Sequence, residues 1–135
     1  MATFVLAFGI ATSIIAIQSG FKYLDVARGT TLASQVLQSE MERLRMMSWS
    51  SITGVGMMGT HNVDLSSMFT ADPSLASKFA VTETIADSPD HPGEMVNITL
   101  SVTWAGFDGR RQTRSFKSYY CKNGLYDYYY TLARP

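Results

Sequence analysis

Histidine, cysteine and acidic side chains bind metals and transfer protons in proteins, and this sequence has few of them in informative arrangements. The two histidines, His61 and His91, lie in separate loop-like segments, outside any Cys-x-x-Cys, His-Glu-x-x-His or Gly-x-Ser-x-Gly motif. The single cysteine, Cys121, cannot form a disulfide within the chain and is expected in or at the end of a strand. The sequence therefore predicts neither an enzyme nor a bound cofactor.

The acidic residues that come closest to a metal-binding pattern are Asp87, Asp90 and Glu94, which surround Pro89 and Pro92. Carboxylate oxygens bind calcium, but this spacing differs from that of an EF-hand loop. A solvated acidic loop explains the same residues, and the turn-forming residue types predict a loop here. We therefore expect no metal site.

The net charge of the chain argues against a nucleic-acid partner. The 135 residues include 11 Lys and Arg and 11 Asp and Glu, which gives a formal net charge of zero. Generic binding to nucleic acid or to anionic membranes depends on clustered Lys and Arg. The basic run from Arg110 to Arg114 is too short to change this balance. We expect no specific nucleic-acid partner.

Residues 1–21 form an uncharged, largely apolar segment. A segment of about 20 apolar residues can cross a bilayer as a helix. It is not an ordinary signal peptide, because no basic residue precedes it and no small-x-small cleavage pattern leads into a polar mature start. We expect it to stay on the mature protein as a membrane anchor that can also leave the lipid and pack against other protein.

Residues 22–49 have the periodicity of an amphipathic helix that continues the apolar one. Residues suited to a buried stripe recur at steps of three or four, and no proline interrupts residues 1–49. A helix of that length extends about 70 Å at 1.5 Å per residue, which is longer than a globule of this size needs. One half is therefore expected to project from the domain. The predicted stripe consists of Tyr23, Val26, Thr30, Ala33, Leu37, Met41 and Leu44.

Residues 50–78 are predicted to form a connecting loop with one short helix. Three glycines between positions 54 and 59 end the preceding helix. Asp72 followed by Pro73 is typical of a helix N-terminus, so one helical turn is expected there.

Residues 79–135 are predicted to form a small β-sheet head with a tyrosine-rich tail. Alternating apolar and polar residues predict strands over 79–85, 96–104 and 112–120, with a hairpin turn at 106–109. We expect an α+β fold, in which the C-terminal half of the long N-terminal helix packs on an antiparallel sheet of about three strands. The residues expected to line the core beside the helix are Ile98, Leu100, Val102 and Trp104.

The N-terminal 49 residues resemble those of type IV pilins and pseudopilins. The resemblance rests on the uncharged helix that continues into an amphipathic one, on the pattern Ala-x-x-x-Leu-x-x-Glu-x-Glu-x-Leu-Arg from Ala33 to Arg45, and on the small β head that follows. It implies synthesis in the inner membrane, processing by a prepilin peptidase and assembly into an extracellular helical filament. The implied partners are further copies of the chain, the inner membrane before assembly, and the pilus or secretion assembly machinery.

Two features of that family are absent from residues 1–21. These are a short basic leader that ends in glycine and a glutamate close to the mature N-terminus. We expect the natural chain to begin several residues upstream of Met1. The alternative is a subunit without that glutamate, which resembles the tip subunits of some pseudopilus systems.

The resemblance implies that residues 1–21 form the core of the filament after assembly. Small residues such as Gly9 and Ser13 permit the close approach of helices. Glycine and hydroxyl residues lower helix propensity, so we expect the helix to loosen in the filament between Gly9 and Gly20, at Gly9, Thr12, Ser13 and Gly20. The residues expected to pack subunits together are Phe4, Leu6, Ala7, Phe8, Gly9, Ile10, Ala11, Ile14, Ile15 and Ile17.

Two other functions remain open from the sequence. One is a minor pseudopilin of a type II secretion or competence system, present at few copies. The other is a membrane-anchored periplasmic interaction domain that never polymerises. The amphipathic continuation favours a polymer, because a monomeric anchor needs no rigid helix beyond the membrane.

The C-terminal tail contains a dense group of tyrosines. Six of the seven tyrosines follow residue 118. Tyrosine suits surfaces that are half buried and half wet, so the tail is a candidate for contacts between subunits. The alternative is a terminal strand whose alternate tyrosines cover the core. Base stacking is disfavoured because Lys122 is the only basic residue nearby. The candidate outer contacts are Tyr126, Tyr128, Tyr129 and Tyr130.

Overall fold

The computed structural model describes residues 2–70 and 72–123 of the chain. Within them, one very long helix is followed by a small sheet and two single-turn helices. The helices are α1 (Ala2–Arg45), α2 (Trp49–Ile52) and α3 (Pro73–Ala76), and the strands are β1 (Gly59–Val63), β2 (Phe79–Asp87), β3 (Met95–Ala105) and β4 (Arg111–Cys121).

The sheet is antiparallel throughout, with the strands in the order β1-β2-β3-β4. The α+β architecture predicted from the sequence is confirmed, and Cys121 ends the last strand. The expectation of about three strands was too low, because β1 was missed. Its sequence, Gly-Thr-His-Asn-Val, has a single large apolar residue, so its strand conformation depends on pairing with β2 rather than on its own pattern.

One face of the sheet packs against α1. In β3, burial alternates strictly along the strand, which places every second side chain on the helix side. Ile98, Leu100, Val102 and Trp104 lie on this side and are at most 5% exposed. They share one core with the C-terminal half of α1, including Ala33, Leu37, Met41 and Leu44.

The sheet covers only the C-terminal half of α1 because the helix is much longer than the sheet. The 44 residues of α1 extend about 66 Å, whereas the 11 residues of β3 extend about 36 Å. Leu37 and Leu44 are fully buried, but Tyr23 is 77% exposed and Val26 is 37% exposed. The first residues of the predicted stripe therefore do not pack on the head.

Capping side chains begin both short helices between α1 and β2. The prediction that one continuous helix extends to residue 49 was wrong in its C-terminal bound. The helix α1 ends at Arg45, and Ser48 caps a separate helical turn. The Ser48 hydroxyl accepts the Ser51 N–H at 3.2 Å, which satisfies a donor at the start of α2. The predicted turn after Asp72 is confirmed, with the Asp72 carboxylate accepting the Ser74 N–H at 3.1 Å.

Candidate assembly surface

The N-terminal half of α1 exposes its apolar side chains. Phe4 is 81% exposed and Phe8 is 74% exposed. The helix is long and apolar enough to cross a membrane, and its most apolar stretch has no contact that buries it. An apolar surface of this extent marks a site that lipid or protein covers. Its large exposed side chains are Phe4, Val5, Leu6, Phe8, Ile10, Ile14, Ile15, Ile17 and Phe21, and Ala7, Gly9 and Ala11 are exposed among them.

Small residues form one line along this exposed half. Gly9, Ser13, Ala16 and Gly20 follow at steps of four, three and four, which places them on one face of the helix. Among residues 2–70 and 72–123, a Cβ atom at Gly9 or Gly20 would meet no atom within 4 Å beyond the adjacent helix backbone. Small residues allow two helix backbones to approach closely. This line is therefore the part of the surface where a second helix can pack most closely.

Hydroxyl side chains in the same half bond to the helix backbone. Thr12 Oγ1 donates to the carbonyls of Phe8 and Gly9 at 3.0 Å, and Ser13 Oγ donates to the Gly9 carbonyl at 2.8 Å. Such bonds satisfy the hydroxyl groups without water, and they slightly weaken the backbone hydrogen bonds of the helix. In the single chain α1 is unbroken from Ala2 to Arg45. The loosening expected at Gly9, Thr12, Ser13 and Gly20 concerns the assembled state and stays a prediction.

Two buried carboxylates share one arginine where α1 meets the sheet. Arg43 Nε lies 2.7 Å from Glu40 Oε2, and Arg43 Nη2 lies 3.4 Å from Glu83 Oε2. Glu40 and Glu83 are each 3% exposed. Glu83 Oε1 is buried and has no hydrogen-bond partner among the described protein atoms. Glu83 is therefore the less well compensated of the two acids.

Burial raises the pKa of Glu83 above its ordinary value of 4.5. The charge of Arg43 opposes this shift, the charge of Glu40 adds to it, and His61 opposes it weakly. The raised pKa is consistent with the geometry, because Arg43 is closer to Glu40 and leaves one Glu83 oxygen uncompensated. His61 Nε2 lies 2.9 Å from the Met57 carbonyl oxygen. Both residues line a cleft of about 400 Å³ together with Glu40, Arg43 and Glu83.

This cluster is suited to hold α1 in one register on β2. In residues 2–70 and 72–123, no three His, Cys, Asp or Glu side chains are grouped so that they could hold a metal ion. Removing Arg43 would leave two buried carboxylates without their shared partner, which is strongly destabilising. The packing of α1 on β2 therefore explains this cluster without a catalytic function.

The calcium candidates lie in the connection between β2 and β3. Asp87 ends β2, and its Oδ1 accepts the Gly93 N–H at 3.4 Å. Asp90 and Glu94 are not gathered with it into a ligand group within the described residues.

His91 contributes its carbonyl to the same turn, where it accepts the Met95 N–H at 3.1 Å. His61 is on β1, so the two histidines are in different parts of the head.

Sequence reasoning did not identify the buried glutamates. On β2, Phe79, Val81 and Ile85 are buried on the helix side, and Glu83 occupies the position between Val81 and Ile85 in that alternation. The sequence signal that could have identified Glu83 was an acidic residue at a strand position where the alternation calls for an apolar one. Glu40 similarly lies one turn from the buried Leu44 on α1, on the face that packs against the head.

The tyrosine tail is described only at its beginning. Tyr120 donates its hydroxyl hydrogen to the Met47 carbonyl at 2.6 Å, and its ring stacks on Trp49 with centroids 6.1 Å apart. Tyr119 is 64% exposed. The candidate outer contacts Tyr126, Tyr128, Tyr129 and Tyr130 lie outside the described residues.

Comparison of the chain with protein-family models, with curated proteins and with solved structures gives no match.

Proposed function

We propose that this chain is a structural subunit of a type IV pilus-like helical filament that polymerises through the N-terminal half of α1. The observation that supports this most directly is the division of one unbroken helix into an exposed apolar half and a half buried in the head. The proposed sequence of locations is the inner membrane before assembly and an extracellular filament afterwards.

The exposed half of α1 suits both a lipid and a protein environment. Its apolar side chains match the hydrocarbon of a bilayer. Transfer of such a helix from lipid into a helix bundle gains no hydrophobic energy, so association depends on close packing. The line of Gly9, Ser13, Ala16 and Gly20 offers that close packing, while Ile17 supplies bulk beside it.

The rigid connection between the two halves favours a polymer over a simple anchor. Ala33, Leu37 and Leu44 are fully buried, so the C-terminal half of α1 is fixed in the head. Because the helix continues without interruption, the apolar half keeps a fixed direction relative to the sheet. Stacking of staggered copies requires that fixed relation, whereas tethering a domain to a membrane does not.

The face of the sheet that points away from α1 suits the outer surface of a filament. It carries cross-strand hydroxyl pairs, Thr60 with Thr84 at 3.0 Å and Thr103 with Thr113 at 3.3 Å. A polar face of this kind needs no cover from protein or lipid. With α1 packed inward, the polar face would remain in contact with water.

The second candidate is a membrane-anchored periplasmic interaction domain that does not polymerise. It is supported by the membrane-compatible length and composition of α1, which an anchor needs as much as a filament subunit does. A minor pseudopilin of a type II secretion or competence system would use the same helix in the same way. It differs from a major filament subunit in joining the assembly machinery at few copies.

The first test is to shear the surface of cells that produce the chain and to image the pelleted material by cryo-electron microscopy. A thin helical filament with the N-terminal halves of α1 at its centre would support the proposal. Protein that is found only in the inner-membrane fraction, with no filament, would contradict the major-subunit function and favour the anchored alternatives.

A pair of variants separates polymerisation from anchoring. Ala16→Leu keeps the helix apolar but fills the line of small residues, so membrane insertion should persist while filaments become about tenfold fewer, as a loss of ~1.4 kcal/mol in packing would give. Ile15→Leu changes the neighbouring position at constant volume and should leave both unchanged. Equal filament yields from Ala16→Leu and the parental chain would refute close packing along this line.

A further inference from the structure

The turn between β3 and β4 holds an exposed aromatic ring beside α1. The Phe107 N–H donates a hydrogen bond of 2.8 Å to Asp25 Oδ2, which attaches the turn to the helix. The turn is closed by the Gly106 N–H, which donates to the Arg110 carbonyl at 2.9 Å. The Phe107 side chain is nevertheless 87% exposed. The backbone of the turn is therefore fixed, while its aromatic side chain is left uncovered by the part of the chain that the structure describes.

This turn lies at a defined height above the apolar half of α1. The residues from Ala2 to Phe21 are uncharged, and Lys22 is the first charged residue. When the apolar segment spans a bilayer, Lys22 marks the edge of the hydrocarbon. Asp25 is three residues further along, or about 5 Å, within the headgroup layer. Its hydrogen bond places the Phe107 turn at the same level.

The groove between the turn and the helix has the chemistry of an interfacial site. It has a volume of about 710 Å³, and its lining residues are Gln18, Phe21, Lys22, Leu24, Asp25, Arg28 and Phe107. Phe21 and Leu24 are 67% and 61% exposed beside Phe107. Helices that lie at the boundary between lipid and water combine Trp, Phe or Leu on one side with Lys or Arg on the other.

Local charge at this site is basic, although the whole chain is neutral. Lys22 and Arg28 line the groove, and Arg110 and Arg111 follow at the end of the β3–β4 turn. All four are exposed. Of the nearby acids, Asp25 accepts the Phe107 N–H, and Asp108 Oδ2 lies 3.6 Å from Arg110 Nε. Four basic residues against two acidic ones leave an excess that attracts anionic headgroups.

We propose that the β3–β4 turn docks into the headgroup layer of the anionic phospholipid bilayer that α1 spans, with Phe107 at the interface and Arg110 and Arg111 beside the phosphates. The head then has two membrane contacts, the helix and the turn, which fix its tilt on the membrane surface. The inference rests on the anchored state within the proposed function and does not depend on polymerisation.

The test uses the full chain reconstituted into vesicles of phosphatidylcholine and phosphatidylglycerol that contain lipids brominated at shallow or deep acyl positions. Bromine quenches tryptophan fluorescence on contact. Phe107→Trp places a reporter on the turn, and its emission is measured as the increment over the parental chain, which contains Trp49 and Trp104. We expect the shallow bromines to remove roughly half of the added emission and the deep bromines to remove less, as for an interfacial aromatic ring.

Two further reporters serve as controls. Val55→Trp places the ring at a fully exposed position after α2, near the other end of α1, and should not be quenched. Phe8→Trp places it in the apolar half and should be quenched by deep bromines. Reversal of charge by Arg110→Glu with Arg111→Glu in the Phe107→Trp chain should reduce the shallow quenching at least severalfold.

The outcomes separate this inference from the proposed function. If the Phe8→Trp reporter is quenched while the Phe107→Trp reporter is not, docking of the turn is refuted and the anchor stands. If neither reporter is quenched, both the anchor and the docking fail. The emission of the Phe107→Trp reporter could instead change with the protein-to-lipid ratio and not with the bromine content. That result would assign the groove to a second copy of the chain and would overturn lipid docking.

Discussion

The indole ring of Trp104 lies directly against the backbone of Gly29 on α1, and a methyl group at position 29 would overlap the ring nitrogen. Trp104 is 5% exposed, and its ring packs against Phe79 with centroids 6.1 Å apart. The ring therefore has little space into which it can move. Gly29 has a packing function in the middle of the helix, where glycine is otherwise unfavourable.

We expect Gly29→Ala to lower the free energy of unfolding of the head. Overpacking costs about 1–3 kcal/mol, whereas the gain in helix propensity from glycine to alanine is at most about 1 kcal/mol. Urea denaturation of the full chain in detergent, followed by tryptophan fluorescence, measures the difference. Gly20→Ala is the matched control, because a Cβ atom there meets nothing within 4 Å. A Gly29→Ala chain as stable as the parental one would show that Trp104 can rotate away.

The pH dependence of stability should reveal the buried Glu83. Its pKa is raised above 4.5 by burial, so the folded state binds a proton more readily than the unfolded state does. The folded state therefore gains stability as the pH falls from neutral through the raised pKa towards 4.5, and loses that gain as the pH rises. The Glu83→Gln chain has no titrating group at this position, so it should lack this gain in stability at lower pH.

Urea denaturation at several pH values between 4.5 and 7.5 measures the stability difference between the parental chain and Glu83→Gln. This difference should shift in favour of the parental chain as the pH falls. Glu42→Gln, at an exposed position of α1, is the matched control and should follow the parental curve. A difference that is constant across the range would mean that Glu83 titrates at its ordinary pKa.

The parts of the fold that follow from local periodicity could be predicted from the sequence. The alternation around Leu100 and the stripe at Leu37 specify which faces are buried, because period 2 and period 3.6 each select one face. The strand β1 could not be predicted, since it forms through pairing with β2 rather than through its own residues. The shared arginine between Glu40 and Glu83 depends on the register of helix on sheet, which no local pattern contains.

The hydrogen bond between Asp25 and Phe107 should protect the Phe107 amide from exchange. Asp25→Ala removes the acceptor, and the loss of about 1 kcal/mol from such a bond predicts roughly fivefold faster amide exchange at the turn. Hydrogen exchange followed by mass spectrometry of the peptide that contains Phe107 measures this. Asp25→Asn keeps an oxygen acceptor and should stay near the parental rate. Equal rates in Asp25→Ala would show that the turn is held by other contacts.

Cys121 should react slowly with thiol reagents in the folded chain. Burial raises the pKa of its thiol, and the residue is 8% exposed at the end of β4. Both effects disfavour the thiolate that reacts. At neutral pH, labelling by a maleimide should be on the order of 10²-fold slower than in denaturant, because it requires local opening. A disulfide-linked dimer that forms readily in air would contradict this and would indicate that Cys121 pairs between subunits.

The apolar half of α1 should loosen between Gly9 and Gly20 when copies of the chain assemble. Each glycine costs about 1 kcal/mol of helix stability relative to alanine, and the hydroxyls of Thr12 and Ser13 already bond to backbone carbonyls at 3.0 and 2.8 Å. In sheared filaments, amides in residues 9–20 should therefore exchange faster than those in residues 33–44.

Substitution of both glycines by alanine should slow that exchange and strengthen the helical density between the two positions. No neighbouring side chain or loop among the described residues opposes either methyl group. The monomeric chain in detergent is the control, since its helix is continuous through this region and should change little. A filament in which the parental residues 9–20 form an unbroken and well-protected helix would refute the loosening. The glycines would then serve only the close approach of neighbouring helices, and the double variant should lose filaments instead of gaining order.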